Sequence, residues 1–161
     1  MEPTPAGLAD ADAELWAAAV DLLAQRYRHD RHEVAAAIRS RSGAVHLGVH
    51  MAGSAGRSSI CAEGMALGAV LTDGDLEIDT VLAVLYRPAG TIRPIAPCGV
   101  CRELLVDYCP DAWIYLCTDI VPGPAHDPDD AVGFPRPART TGTAVRTRVR
   151  DPMPGKNPRS W

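Results

Sequence analysis

A cysteine and a glutamate lie two positions apart at the start of an apolar helical pattern: Cys61 and Glu63 open the stretch "CAEGMALGAVL". Cys98 and Cys101 form a Cys-x-x-Cys motif that opens a second helical pattern. In a sheet of consecutive parallel strands, the helices that follow the strands begin at one edge, so these two helices can bring the three thiols together. The partial positive charge at helix N-termini favours thiolates there.

Three sulfur ligands are typical of a zinc site. Three protein ligands leave a fourth position open for water, and zinc lowers the pKa of that water toward neutrality. Glu63 would lie close enough to take a proton from the water without being a ligand. We therefore predict that Cys61, Cys98 and Cys101 are the metal ligands and that Glu63 is the catalytic residue.

Other interpretations of these cysteines remain open. A Cys-x-x-Cys motif alone also occurs in structural zinc sites and in redox pairs. A structural site would need a fourth ligand, for which Cys109, Cys117 and His50 are candidates. Buried inert thiols are common, so we interpret Cys109 and Cys117 as packing residues. Glu63 beside three clustered cysteines favours a catalytic centre over a structural one.

The elements that must position these residues are predicted from periodicity and turn signals. In chain order they are a helix over about Pro5–Arg28, strands over about Glu33–Arg39 and Ala44–His50 joined at Ser42-Gly43, a helix over about Cys61–Thr72, a buried strand in Glu77–Tyr86, a helix over Gly99–Tyr108, a strand over Ala112–Cys117 and a last strand in Thr143–Val149. The alternation of strands and helices implies a mostly parallel sheet. Residues 120–143, rich in Pro, Gly and Asp, are predicted to be a long loop within one domain spanning 1–161.

The bulk composition excludes several classes of protein. With 47% hydrophobic and 22% charged residues, the 161-residue chain is an ordinary globular mixture. The net charge of −4 and the scattered arginines argue against nucleic acid as a partner. The acidic N-terminal stretch does not resemble a signal peptide, and no apolar run reaches the ~20 residues of a membrane span, so we expect a cytoplasmic protein. Five cysteines, an odd number, fit metal or catalytic use better than a disulfide framework.

Cys-Ala-Glu at 61–63 and Pro-Cys-x-x-Cys-Arg at 97–102 together resemble the cytidine deaminase superfamily. Cysteine as the first ligand is similar to its free-nucleoside branch, which includes cytidine deaminases and blasticidin-S deaminase. The resemblance runs from about Arg28 to Leu116, with a weaker echo in "DPMPG". It implies an α/β fold, a three-layer α/β/α sandwich around a mixed five-stranded sheet. It also implies Zn²⁺, a small-molecule substrate, and a homotetramer whose neighbouring subunits help to close each pocket.

The resemblance also implies a role for each matching residue. Cys61, Cys98 and Cys101 match the zinc ligands, and Glu63 matches the glutamate that moves protons. The backbone N–H of Ala62 would contact the pyrimidine carbonyl. The implied reaction is hydrolysis at an amine-bearing ring carbon, which releases ammonia.

Three further residues match the family near the second cysteine pair. The carbonyl of Ala96, together with Pro97, would lie near the departing ammonia. Arg102 matches the arginine that follows the last ligand, although an exposed helix position would explain it nearly as well.

The part of the family pattern that binds the sugar is changed in this chain. "VAAAIRSRSGAVHLGVH" places His50 where cytidine deaminases have a ribose-binding asparagine, and Ala52 replaces their ribose-binding glutamate. His32 corresponds to an aromatic residue that packs on the pyrimidine, and Gly64 to an arginine. Blasticidin-S deaminase keeps the asparagine, so the chain matches neither subgroup. We predict that His32, His50 and Ala52 form an altered pocket; the alternative is that both histidines are structural.

These observations predict a deaminase of a free cytosine nucleoside, a nucleoside analogue or a related aminated heterocycle. Two other functions remain open. One is a catalytically idle, zinc-binding interaction protein, which the presence of Glu63 argues against. The other is a nucleic-acid-editing deaminase, which the absence of a basic stripe and the first-ligand cysteine argue against.

Overall fold

The computed structural model describes residues 3–86, 90–120 and 139–152. Its helices and strands, in chain order, are α1 (Ala13–Arg26), β1 (Val34–Ser40), β2 (Val45–Val49), α2 (Ala62–Asp73), β3 (Ile78–Tyr86), β4 (Thr91–Pro94), α3 (Gly99–Tyr108), β5 (Trp113–Thr118), β6 (Arg139–Thr140) and β7 (Thr143–Arg148). None of the helices in these ranges is long and apolar enough to cross a membrane.

The strands form one mixed sheet in the order β2-β1-β3-β4-β6, and β5 joins it by pairing with β3 and with β7. The central strand β3 changes partner along one edge: Thr80 and Val81 pair in parallel with β5, whereas its last residues pair antiparallel with β4. The expectation of a mostly parallel sheet is wrong, since β1 is antiparallel to both of its neighbours. β1 and β2 form a hairpin whose turn contains Gly43, and a turn this short cannot make the crossover connection that parallel strands require.

The mixed character of the sheet is confirmed, but the described residues contribute seven strands to it instead of the expected five. The two additional strands are β4 and β6. Both are short, β4 ends in Pro94, and β6 is only two residues long. Runs of this length give no alternation that a pattern could detect.

Alternating residues of β1 pack against helices on both sides of the sheet. Ala35 and Ala37 belong to the core beneath α1, whereas Ala36 and Ile38 belong to the core beneath α2 and α3. Because successive strand side chains point to opposite faces, the small alanines let helices approach the sheet from both directions. The expected three-layer α/β/α sandwich is therefore confirmed.

The first predicted helix begins later in the structure than in the sequence pattern. Its predicted start near Pro5 is wrong, because Ala6 instead pairs with Thr143 of β7 and Gly7 has a φ of 78°. The last predicted strand is confirmed as β7. The end of the predicted 120–143 loop forms β6, while residues 121–138 and most of "DPMPG" lie outside the described ranges. The single-domain assignment over 1–161 stays a prediction.

Gly48 determines how closely α2 lies on the sheet. A Cβ atom at this position would lie 2.3 Å from the Ala66 nitrogen and 2.4 Å from the Ala62 oxygen. The absence of a side chain lets β2 contact the backbone of the first turns of α2 directly. The N-terminus of α2, which carries Cys61 and Glu63, is thereby held close to the end of β2.

Candidate active site

Three cysteine sulfurs meet where α2 and α3 begin. Cys61 is the N-cap residue of α2 and Cys98 is the N-cap residue of α3, and their Sγ atoms lie 3.4 Å apart. The backbone N–H of Cys101 donates to Cys98 Sγ at 3.5 Å. All three Sγ atoms lie within 4.8 Å of one another, so they could hold one metal ion.

The electrostatics of the cluster also fit a cation. Burial raises the pKa of the Cys61 thiol to about 11. The pKa of the Cys101 thiol is also raised, mainly by burial and secondly by the charge of Glu63. Burial alone would raise the pKa of Cys98, but the Cys101 backbone N–H and the neighbouring thiols lower it overall. Three thiols this close together do not readily all ionise, because the thiolates repel one another. A divalent cation would offset their charge. Sulfur donors in this number are what Zn²⁺ takes in proteins.

Glu63 lies in the first turn of α2 with only 4% of its surface exposed. Burial raises the pKa of its carboxyl group, while hydrogen bonds from its own backbone N–H and from the Cys101 thiol partly oppose that shift. A buried carboxyl group that takes up a proton readily, next to a metal-binding cluster, is suited to acid–base chemistry.

Glu63 faces a cavity of about 140 Å³ that opens beside the cysteine cluster. The lining residues come from the start of β1, the end of β2, the start of α2 and the segment between β4 and α3. They are Val34, His50, Cys61, Ala62, Glu63, Ile95, Ala96 and Cys98. Six of the sequence-predicted site residues therefore face one small space, and Cys101 lies buried beside it.

The two histidines occupy different positions relative to this cavity. His50 is one of the lining residues, and its backbone N–H donates to the Val34 carbonyl at 2.9 Å. His32 is not among the lining residues; its Nδ1 lies 2.7 Å from the His50 carbonyl oxygen. Ala52 is half-buried and also lies outside the lining, beyond the Met51–Ile60 bridge.

Pro97 and Arg102 support the segment that carries Ala96 and Cys98. The Arg102 guanidinium Nε donates to the Pro97 carbonyl at 2.8 Å, and the Arg102 backbone N–H donates to the Cys98 carbonyl at 2.9 Å. Pro97 is buried and does not line the cavity. Arg102 therefore holds the backbone carbonyls on both sides of the Cys98 Cα.

The candidates for a fourth protein ligand do not join the cluster in the described part of the chain. Cys109 packs in the core beneath α2 and α3, and Cys117 lies on β5. His50 shares the cavity but is not part of the three-atom cluster. Among the described residues, a metal held by these three thiols would therefore have no fourth protein ligand.

Two lining residues, Val34 and Ile95, were not identified from the sequence. Both are partly buried and pack against the core beneath α2 and α3. An aliphatic side chain neither binds a metal nor exchanges a proton, so its residue type alone gives no signal of a site. Their positions in the sequence do give a signal, because both lie close to predicted site residues. Ile95 precedes Ala96, and Val34 lies two residues after His32.

An α/β/α sandwich that brings a thiol cluster and a buried carboxyl group together at two helix N-termini has an arrangement suited to a metal-binding enzyme. The chain belongs to the deaminase family whose model is described as the cytidine and deoxycytidylate deaminase zinc-binding region, which matches residues 9–117. It is a hydrolytic deaminase, and Zn²⁺ is its cofactor.

Individual proteins show the same relationship. The chain is 36% identical over 109 residues to blasticidin-S deaminase from Bacillus cereus, a match covering 65% of this chain and 78% of the relative. It is 32% identical over 89 residues to cytidine deaminase from Halalkalibacterium halodurans, covering 55% and 64% of the two chains. Cytidine deaminase from Mycobacterium leprae has a similar fold, with a TM-score of 0.62 at 20% identity over 91% of this chain and 99% of that one.

Proposed function

We propose that this deaminase acts on a free cytosine nucleoside, a nucleoside analogue or a related aminated heterocycle, and that its activity depends on zinc. The observation that carries the proposal is the buried Glu63 carboxyl group, which faces the same 140 Å³ cavity as Cys61 and Cys98. The similarity to proteins named blasticidin-S deaminase and cytidine deaminase supports this class of substrate.

Cys61, Cys98 and Cys101 would hold the zinc, which when bound supplies the Lewis-acid chemistry that makes water nucleophilic near neutral pH. Glu63 accepts a proton from the attacking water and delivers it to the ring nitrogen beside the amine-bearing carbon. It then takes the remaining proton from the added hydroxyl group and passes it to the amino group, which leaves as ammonia while the ring carbonyl forms. One water is consumed, a C–O bond forms, and the C–N bond to the amino group breaks.

Backbone groups would orient the substrate ring. Ala62 is the first residue of α2, so its N–H has no partner within the helix and is available to a ring carbonyl. The Ala96 carbonyl would accept a hydrogen bond from the amino group. Both residues line the cavity, and the Arg102 bond to Pro97 would keep the Ala96 segment in place.

The size of the cavity suits a single ring. Pockets that enclose whole drug-sized ligands are typically ~300–1,000 Å³, whereas this one is about 140 Å³. The rest of a nucleoside would therefore extend out of the cavity past His50, toward Ala52. We also propose that the protein is a homotetramer whose neighbouring subunits close that outer part of the site. Its proposed location is the cytoplasm. Size-exclusion chromatography with light scattering tests the oligomeric state.

Zinc analysis combined with an ammonia-release assay tests the function. The panel contains cytosine, cytidine, deoxycytidine, blasticidin S, other aminated heterocycles and a cytosine-containing single-stranded oligonucleotide. We expect about one zinc per chain and ammonia from at least one small molecule, with activity lost after chelation. Zinc with no ammonia from any compound would indicate an idle interaction protein, and ammonia from the oligonucleotide alone would indicate a nucleic-acid-editing enzyme.

A further inference from the structure

The backbone N–H and carbonyl of His50 both form hydrogen bonds, one with Val34 at the start of β1 and one with His32 just before β1. Its N–H donates to the Val34 carbonyl at 2.9 Å, and its carbonyl oxygen lies 2.7 Å from His32 Nδ1. The ladder between β1 and β2 thus ends with one backbone bond and one bond from an imidazole. His50 is the lining residue that follows β2, so these two bonds set its position at the wall of the cavity.

His32 is itself firmly placed. Its backbone N–H donates to the Arg28 carbonyl at 2.8 Å, and its own carbonyl accepts from the Arg28 N–H at 3.3 Å. A carbonyl oxygen can only accept a hydrogen bond, so His32 Nδ1 must carry the proton. The donor that reaches His50 is therefore fixed in both position and tautomer.

We infer that His32 is a positioning residue that determines substrate specificity through His50, rather than a residue that contacts the substrate. By holding the His50 carbonyl, it orients the His50 ring toward the polar substituent that the substrate ring carries outside the cavity. This inference rests on the proposed function, because it assigns a specificity role within that same site. It also differs from the sequence-based expectation that His32 would line the pocket.

Replacement of His32 by asparagine or by glutamine gives a matched pair of variants. An asparagine amide places its N–H near the position of Nδ1, whereas a glutamine amide places it near the position of Nε2. His32→Asn should therefore keep the bond to the His50 carbonyl, and His32→Gln should lose it. Neither change touches the cysteines or Glu63, so the zinc content should stay the same in both.

Steady-state kinetics on the best substrate of the panel provides the first test. We expect His32→Gln to raise KM about three- to tenfold, the usual effect of losing one hydrogen bond, with kcat within about twofold. His32→Asn should restore a KM within about twofold of the unsubstituted enzyme. In a His50→Ala background, His32→Gln should no longer change KM, because the ring that it positions is gone.

Two kinetic results would overturn the inference. One is an equal rise in KM for His32→Asn and His32→Gln, which would show that the Nδ1 donor is irrelevant. The other is an undiminished effect of His32→Gln in the His50→Ala background, which would show that His32 acts independently of His50.

A second readout needs no turnover and so separates this inference from the proposed function. NMR spectra of the ¹⁵N-labelled, zinc-loaded protein report the imidazole signals of His50 directly. These signals should move in His32→Gln and stay in place in His32→Asn. If no compound of the panel is deaminated, the proposed function fails while this test still applies; unchanged His50 signals in both variants would overturn the positioning role.

Discussion

The Sγ atoms of Cys61 and Cys98 lie 3.4 Å apart, although the two residues are 37 positions apart in the chain. Each is the N-cap residue of its helix, so the cluster depends on two helices beginning at the same place. Loss of one thiol leaves two ligands where structural and catalytic zinc sites use at least three protein ligands. Metal binding and the packing of these two helices are therefore expected to be coupled.

Cys98→Ala should release most of the zinc and lower the midpoint of thermal unfolding. Cys117→Ala is the matched control, since Cys117 lies on β5 outside the cluster. Zinc content of the purified proteins, measured by mass spectrometry, provides the comparison. Full zinc occupancy in Cys98→Ala would rule out Cys98 as a ligand.

Gly48→Ala should destabilise the protein, because the added Cβ would overlap the backbone of Ala62 and Ala66. Overpacking of this kind costs about 1–3 kcal/mol, and more where backbone must move. Gly68→Ala in α2 is the control: a Cβ there meets nothing within 4 Å, and it should stabilise the helix by about 0.5–1 kcal/mol. Urea unfolding of the zinc-loaded proteins measures both effects. Equal stability of Gly48→Ala and the unsubstituted protein would contradict the close approach of β2 and α2.

Asp79 should contribute stability that depends on pH. Burial acts to raise the pKa of its carboxyl group, but hydrogen bonds from Arg39 and Thr80 and the charge of Arg39 lower that pKa overall. A carboxyl group with a lowered pKa in the folded state stabilises the protein above its unfolded pKa of ~3.9, and this stability is lost as the pH falls through the folded value.

Asp79→Asn should therefore reduce the free energy of unfolding at pH 7, by less than ~1 kcal/mol because the pair is partly exposed. The difference between the two proteins should shrink as the pH falls below about 4. Urea unfolding at a series of pH values measures it. A difference that stays constant down to acidic pH would contradict this role for the Arg39–Asp79 pair.

Cytidine should be a poor substrate if His50 and Ala52 replace the two side chains that bind ribose in cytidine deaminases. The charge-assisted hydrogen bond to the glutamate is worth about 1.5–3 kcal/mol, a tenfold to hundredfold loss, and the neutral one to the asparagine about 0.5–1.5 kcal/mol. The double substitution His50→Asn with Ala52→Glu should raise kcat/KM for cytidine while zinc content stays the same. If the unsubstituted enzyme deaminates cytidine near ~10⁶ M⁻¹s⁻¹, an efficient rate for an enzyme, the proposal of an altered pocket is wrong.

The local chemistry of the cluster could be predicted from the sequence because it depends on short spacings. Cys61 and Glu63 lie within one helical turn, and Cys98 and Cys101 lie within another, so once two helices are predicted the thiols and the carboxyl group are confined to their N-termini. The meeting of the two helices at one cavity agrees with that prediction.

The sheet topology could not be predicted in the same way. Residues 81–86 of β3 form a continuous apolar run, which predicts burial on both faces but says nothing about strand direction. Its exchange of partner from β5 to β4 arises from contacts distant in sequence. The bond from His32 to the His50 carbonyl could not be predicted for a similar reason, because it depends on how the β1–β2 ladder ends.

The most direct measurement is the deaminase activity of Glu63→Gln on the best substrate of the panel, with zinc content determined on the same sample. Glutamine has nearly the same shape as glutamate but cannot accept the proton of the attacking water. We expect full zinc occupancy, an unchanged fold, and a fall in kcat of at least ~10²–10⁴-fold, typical for the loss of a general acid–base group. A zinc-loaded Glu63→Gln protein that retained most of its activity would contradict the mechanism.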